Sequence, residues 1–142
     1  MHSYIFWALL GMAGYSFTTL FVKLAVRSSE VSNYMVLAVS TTIVSIVAIG
    51  IVAVRGELKP LIFDLEQGTL MWAIAGGIAL TIAVSSLFHA LWLGPANVVV
   101  PIYGMFIIGG SLLGVFFLGE QMGWTKIVGL AAAVLGVVLI SL

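Results

Sequence analysis

The stretch that decides the fold is Val98 to Leu118, VVVPIYGMFIIGGSLLGVFFL, a run of 21 residues without a charged side chain. It is followed by a short polar segment, GEQMGWTK from Gly119 to Lys126, and then by a second apolar run from Ile127 to Leu142. A helix of about 20 apolar residues crosses the hydrocarbon core of a bilayer. Because the connection is so short, the pattern predicts an antiparallel transmembrane hairpin.

The composition indicates a membrane protein for the chain as a whole. Of its 142 residues, 63% are hydrophobic and 7% are charged, whereas about 25% are charged in a soluble domain. Five basic and five acidic side chains cannot cover the surface of a globule of this size in water. The net charge of zero gives no indication of nucleic-acid binding, and the absence of cysteine excludes disulfides, thiolate metal sites and a cysteine nucleophile.

Three further apolar segments precede the hairpin, which gives five predicted transmembrane helices. They run from about Tyr4 to Val22, Tyr34 to Val54 and Leu70 to Leu93. The first has no basic segment before it and no cleavage site after it, so it is predicted to be a retained span rather than a signal peptide. The runs do not alternate with a period of two, which disfavours transmembrane strands. The tryptophans lie near the ends of the spans, as amphipathic rings at the headgroup level do: Trp7, Trp72, Trp92 and Trp124.

The longest connection, residues 55–69, carries leucines and an isoleucine between charged residues. The spacing fits a short amphipathic helix in the membrane interface, and a solvated loop is an equal alternative. The other connections are short, so neighbouring helices are predicted to pack antiparallel. We expect a single all-α domain of residues 1–142.

Polar side chains inside the spans are where function is expected, because in hydrocarbon each needs a partner or a wet cavity. The residues predicted to line a substrate pathway recur at helical spacing in the first and third spans and follow Pro101 in the fourth: Tyr15, Thr19, Ser85, His89 and Tyr103. The alternative for each serine and threonine is a hydrogen bond to its own helix or to a neighbour. The alternative for His89 is contact with the headgroups, since it lies roughly 6 Å inside its span.

Four glycines, one proline and one glutamate are predicted to have structural roles. Pro101 removes a backbone hydrogen bond, and it either kinks the fourth helix or marks its beginning. Glu120 follows the fourth helix and is predicted to have a structural role, facing the N-terminal amides of the fifth. Small residues let helices approach closely in lipid, and the predicted packing faces contain Gly110, Gly114, Gly129 and Gly136.

Catalytic motifs are missing from the sequence. It contains no HExxH, no GxSxG and no paired acids within a span. Ser85 and Ser86 lie near His89, but no third group orients the histidine and no nucleophile elbow is present. Selectivity-filter sequences and rings of charge are absent too, which disfavours a channel. We therefore expect no enzyme activity, no metal and no cofactor.

Three places in the sequence point to a known family. The first span carries Trp7 and Gly11 and closes on Phe21-Val22-Lys23-Leu24, Pro101 stands early in the fourth span, and Leu118-Gly119-Glu120 precedes the glycines of the fifth. With these features the chain resembles an EamA-type domain of the drug/metabolite transporter superfamily.

The resemblance implies a transporter. Family members typically carry two such domains in ten helices, inverted relative to each other, and move small metabolites by alternating access. With five helices, this chain is expected to be half of a ten-helix inverted-repeat transporter that pairs with a second copy or with a related five-helix chain. The related small multidrug resistance proteins carry a glutamate in their first helix. The first helix of this chain contains no acidic residue.

The resemblance therefore leads to a specific expectation. The chain would be a multi-pass subunit of the inner cell membrane that moves a small metabolite or an amino acid-like solute as a homodimer. The alternative is a non-transporting scaffold or accessory subunit.

The basic residues give little preference for one orientation in the membrane. Five spans place the termini on opposite sides, with Arg55, Lys59 and Lys126 on the side of the N-terminus and Lys23 and Arg27 on the other. Orientation follows the lysine and arginine bias of short loops. A difference of one residue favours a cytoplasmic N-terminus but permits insertion both ways. We therefore expect an antiparallel homodimer, with a parallel dimer or a separate partner chain as alternatives.

Overall fold

The computed structural model describes residues 3–27, 31–57 and 67–141. Residues 58–66, the middle of the 55–69 connection for which an interfacial helix was one interpretation, lie outside these ranges. The described part of the chain is helical and contains no strand. Its helices are α1 (Ser3–Val26), α2 (Asn33–Val54), α3 (Gln67–Leu93), α4 (Ala96–Gly104), α5 (Phe106–Leu118) and α6 (Trp124–Ser141).

The lengths of these helices fit a chain that crosses the membrane several times. Four segments are long and apolar enough to span: Tyr4–Val26, Asn33–Val54, Gly68–Leu93 and Ala96–Leu118. α6 has 18 residues and is about 27 Å long at 1.5 Å per residue, close to the thickness of the hydrocarbon core. The prediction of five apolar segments therefore fits the described chain.

The helices divide into two compact units, and the first contains α1, α2 and α3. Within it α3 contacts both α1 and α2, and α1 contacts α2. The buried apolar side chains lie near the ends of α1 and α3: Val22, Val26, Leu87, Phe88 and Leu91. Most other large apolar side chains of this unit are exposed, as with Trp72 at 79%. Such a surface is stable in lipid, whose tails are as apolar as leucine.

α2 has well-formed ends. Ser32 caps its N-terminus, and the Ser32 hydroxyl accepts a hydrogen bond from the amide of Tyr34 at 3.3 Å. At the other end Gly56 adopts a positive φ of 71°, and the amide of Glu57 donates to the carbonyl of Val52 at 3.0 Å. This glycine-dependent turn satisfies carbonyls that the helix leaves without partners.

The second unit contains α4, α5 and α6, and α4 contacts α6. Pro95 precedes α4, and its carbonyl accepts from the amide of Val99 at 3.0 Å. α4 begins at Ala96, so Pro101 lies inside the helix and does not mark its beginning. The ring of Pro101 leaves the carbonyl of Asn97 without its usual donor.

The predicted fourth span consists of two helices because the backbone is interrupted one turn after Pro101. At Met105 the amide bonds to the carbonyl of Ile102 at 3.1 Å, three residues back. α5 resumes at Phe106. Such a tightened turn after a proline is a common cause of a kink.

Candidate functional site

Intrahelical hydrogen bonds already satisfy many hydroxyls of α1, α2 and α3. Thr19 is 7% exposed, and its Oγ1 donates to the carbonyl of Ser16 at 2.8 Å. Thr81 donates to the carbonyl of Gly77, also at 2.8 Å. The same kind of bond is made by Ser16, Thr18, Ser40, Thr41 and Thr42. These hydroxyls need no wet cavity to be stable in a membrane.

His89 lies in a polar and aromatic group in the first unit, which we call the histidine cluster: Asn33, Tyr34, His89 and Trp92. The Asn33 Nδ2 atom lies 3.3 Å from His89 Nδ1. The ring centroids of Tyr34 and Trp92 lie 6.5 Å and 5.7 Å from that of His89. An amide nitrogen only donates, so Nδ1 accepts in this arrangement and the proton of the neutral ring is on Nε2. When Nδ1 accepts from Asn33, the ring offers Nε2–H as a donor to other groups.

In the histidine cluster Asn33 is buried, whereas the aromatic rings are exposed. Asn33 is 5% exposed, whereas Tyr34 is 61% and Trp92 is 50% exposed. His89 is also exposed. Exposed aromatic rings near the end of a span fit the headgroup level, so the alternative interpretation of His89 stays open beside the pathway interpretation.

Lys23 joins α1 to the end of α3. Its Nζ donates to the backbone carbonyl of Leu91 at 2.7 Å. α3 ends at Leu93, so this carbonyl lies in the last turn, where the helix supplies no amide partner. The ammonium also complements the negative end of the helix dipole. The family-like lysine of the first span thus caps a helix in this structure.

We expect Lys23→Met to destabilise the protein, because the substitution keeps much of the apolar stem and removes the donor to Leu91. Leu91 is 0% exposed, so its carbonyl would be left without this bond in a buried place. The expected loss is about 1–2 kcal/mol, measured as a lower unfolding temperature in detergent. Arg27→Met, at an exposed position one turn further on, is the control and should change little. Equal stability of the two variants would contradict the capping role.

The remaining predicted pathway residues have different surroundings. Tyr15 on α1 is 41% exposed, and Ser85 on α3 is half-buried. Tyr103 belongs to the second unit, where it is half-buried and its ring centroid lies 5.9 Å from that of Phe106. A shared pathway for all five residues stays a prediction.

The second unit contains a pocket of about 370 Å³ between α5, α6 and the segment that joins them. We call it the α5–α6 pocket. Its polar lining residues are Ser111, Glu120, Gln121 and Lys126, and its apolar lining includes Ile107, Val115 and Leu130. A pocket of this size is in the range of small-molecule sites. The described residues contain no cluster of histidine, aspartate and glutamate that could hold a metal ion.

The turn after α5 directs Glu120 back over that helix. Gly119 has a φ of 67°, and the amide of Glu120 donates to the carbonyl of Gly114 at 3.2 Å. A Cβ atom placed on Gly114 would lie 3.1 Å from Oε2 of Glu120. Gly114 therefore makes room for the carboxylate, which lies against α5 at the rim of the pocket.

The other predicted packing glycines have open surroundings. A Cβ atom at Gly110, Gly129 or Gly136 would have no atom of the described chain within 4 Å, outside its own helix backbone. Their packing against another helix, of the same chain or of another copy, stays a prediction.

We expect Glu120→Gln to lower the unfolding temperature more than it changes solute selectivity. The expected loss is about 0.3–1 kcal/mol if the carboxylate faces the N-terminal amides of α6, as predicted from the sequence; in this structure it lies beside Gly114 of α5. Glu57→Gln, at the exposed turn after α2, is the matched control. Unchanged stability together with lost transport would contradict the structural role and make the carboxylate functional.

Some residues of these two sites were not predicted from the sequence as site residues. Asn33 and Tyr34 follow the capping Ser32, and Ser111 and Lys126 line the α5–α6 pocket. The signal for Asn33 is an amide in the first turn of an otherwise apolar helix. The signal for Lys126 is the opposite charge of Glu120 across a short connection.

Comparison with known proteins agrees with a transporter. The model of the EamA-like transporter family matches residues 2–142. A relative from Sinorhizobium sp., named "Uncharacterized transporter in cobO 3'region", is 29% identical over 140 residues, which are 98% of this chain and 96% of the relative. The two proteins are thus of nearly equal length. No solved structure matches the chain significantly.

Proposed function

Because the chain belongs to the EamA-like transporter family, we propose that it is the half-size subunit of a transporter that moves a small metabolite or an amino acid-like solute by alternating access. The observation that carries the proposal is the family match over almost the whole chain, and the described residues contain four apolar helices of membrane length and a shorter fifth. The relative of similar length supports it, since that protein too is named a transporter at this size.

We place the solute pathway along the polar stripes of the helices. Ser85 and His89 lie one turn apart on α3, and Tyr15 lies on α1, which contacts α3. Nε2–H of His89 and the hydroxyls of Ser85 and Tyr15 offer hydrogen bonds without a fixed charge. Tyr103, in the second unit, would contribute a further hydroxyl. Such a lining suits a neutral or zwitterionic solute better than an ion.

We further propose that the working unit is a dimer in the inner membrane. The exposed apolar surface of the helices supports contact with lipid and with a second copy, and the small residues of α5 and α6 permit close approach. Two copies in opposite orientation would produce an inverted pair, in which one unit rocks against the other around the solute.

The test is solute flux in liposomes that contain the purified protein. We expect uptake of at least one class in a panel of amino acids and small metabolites, above the rate in empty liposomes. His89→Ala should reduce that uptake, while Met71→Ala, at a position that is 71% exposed, should not. If the folded protein moves no class of solute, the chain is a scaffold or accessory subunit instead.

A further inference from the structure

The α5–α6 pocket combines two opposite charges with an apolar wall. Glu120 supplies a carboxylate and Lys126 an ammonium, and both line the same pocket of about 370 Å³. No salt bridge joins the two side chains in the described structure, so each is available to a ligand. A ligand with one positive and one negative group complements this pair.

The polarity of the pocket changes along its length. Glu120 and Lys126 belong to the connection and the first turn of α6, at the ends of the spans. Ile107 lies 11 residues before the end of α5, which places it roughly 16 Å further along that helix at 1.5 Å per residue. The pocket therefore has charges at the end of the spans and an apolar wall that extends towards the hydrocarbon.

This order of groups matches a lipid better than a free solute. A phospholipid has its charged headgroup at the interface and its acyl chains in the hydrocarbon, in the same order as the pocket. An anionic lipid would leave Glu120 facing a like charge, whereas a zwitterionic lipid satisfies both side chains. A primary ammonium donates hydrogen bonds to a carboxylate, which a quaternary ammonium cannot do.

We propose that the α5–α6 pocket binds a phosphatidylethanolamine-type lipid, with the lipid ammonium on Glu120, its phosphate on Lys126 and an acyl chain along Ile107, Val115 and Leu130. The lining of the pocket shares no residue with the proposed solute pathway. Lipid retention is measured without transport, so a failure of this proposal and a failure of the transporter proposal are distinguishable.

The first experiment uses the unmodified protein. Delipidated protein in detergent is mixed with equal amounts of dioleoyl phosphatidylethanolamine, phosphatidylcholine and phosphatidylglycerol, and the bound lipids are counted by native mass spectrometry. We expect phosphatidylethanolamine to be retained about tenfold more than either competitor, as one charge-assisted hydrogen bond predicts. Equal retention of all three lipids, or a preference for phosphatidylglycerol, would overturn the proposal.

Two variants locate the lipid. Glu120→Gln should remove the preference for phosphatidylethanolamine over phosphatidylcholine, and Lys126→Gln should reduce the retention of both. Arg55→Gln and Glu57→Gln change the same charges at the exposed end of α2 and should leave retention unchanged. A preference that survives both pocket variants would overturn the assignment. If Glu120→Gln does not fold, Lys126→Gln and the selectivity of the unmodified protein decide.

A soluble competitor separates a lipid from a free headgroup. Water-soluble phosphoethanolamine carries the same charges without acyl chains. We expect it to displace the bound lipid only in large excess, because it does not cover the apolar wall. Displacement at equal concentration would overturn the lipid assignment.

Discussion

Cysteines introduced one at a time at the predicted pathway positions should react with a membrane-impermeant thiol reagent. The chain contains no cysteine, so each variant carries a single reactive site and the background is zero. Fast labelling is expected for Tyr15→Cys, Ser85→Cys, His89→Cys and Tyr103→Cys, which replace exposed or half-buried side chains. Thr19→Cys should react more slowly, because Thr19 is 7% exposed.

Two control positions make the labelling result decisive. Gln121→Cys, in the exposed connection before α6, should react at once. Ile82→Cys replaces a side chain that is 64% exposed in the middle of α3, where we expect it to face lipid and to stay unlabelled. If all five pathway variants are inert while Gln121→Cys reacts, the side chains do not share a water-accessible space and the pathway proposal is wrong.

A reporter at the C-terminus should give signal on both sides of the membrane. The basic residues differ by one between the two sides, three against two, when the loops are counted from the sequence. Orientation follows that bias, so insertion in both directions is expected. One reporter active only in the cytoplasm and one active only outside it, each fused after Leu142, measure the two populations.

Two added lysines should remove one of these populations. Placed after Leu142, they raise the number of basic residues on the side of the C-terminus to four, against three on the other side. A cytoplasmic C-terminus is then favoured. The outside reporter should then fall silent. Native protein that reports from one side only would contradict the antiparallel homodimer.

Helix positions follow from the sequence because the length of an apolar run decides whether it spans a bilayer. The ends of the helices are predicted less accurately from the sequence. α1 continues to Val26, beyond the predicted end at Val22, because Lys23 does not need to leave the helix for water. Its ammonium binds the carbonyl of Leu91 instead, and a partner 68 residues away is not visible in the local pattern.

The fourth span shows a second limit of sequence reasoning. Pro101 predicts a disturbed helix, but the interruption falls at Met105, where the local hydrogen bonding rearranges. The position depends on how the turn tightens after the proline, which composition does not specify.

The site residues were predictable only in part. That Ser85 and His89 share one face of α3 follows from helical spacing alone. The contact between His89 and Asn33 joins residues 56 positions apart, and the place of Glu120 depends on the positive φ of Gly119. Both require the packed structure, because no local period connects such residues.

The central claim is that two copies in opposite orientation form one transporter, and flux from orientation-fixed variants tests it most directly. Two lysines inserted after Met1 favour a cytoplasmic N-terminus, and two lysines after Leu142 favour the reverse. The solute is one that the unmodified protein transports in the panel. We predict that each variant expressed alone loses most of its flux, and that co-expression of the two restores it. Full transport by either variant alone would contradict the claim.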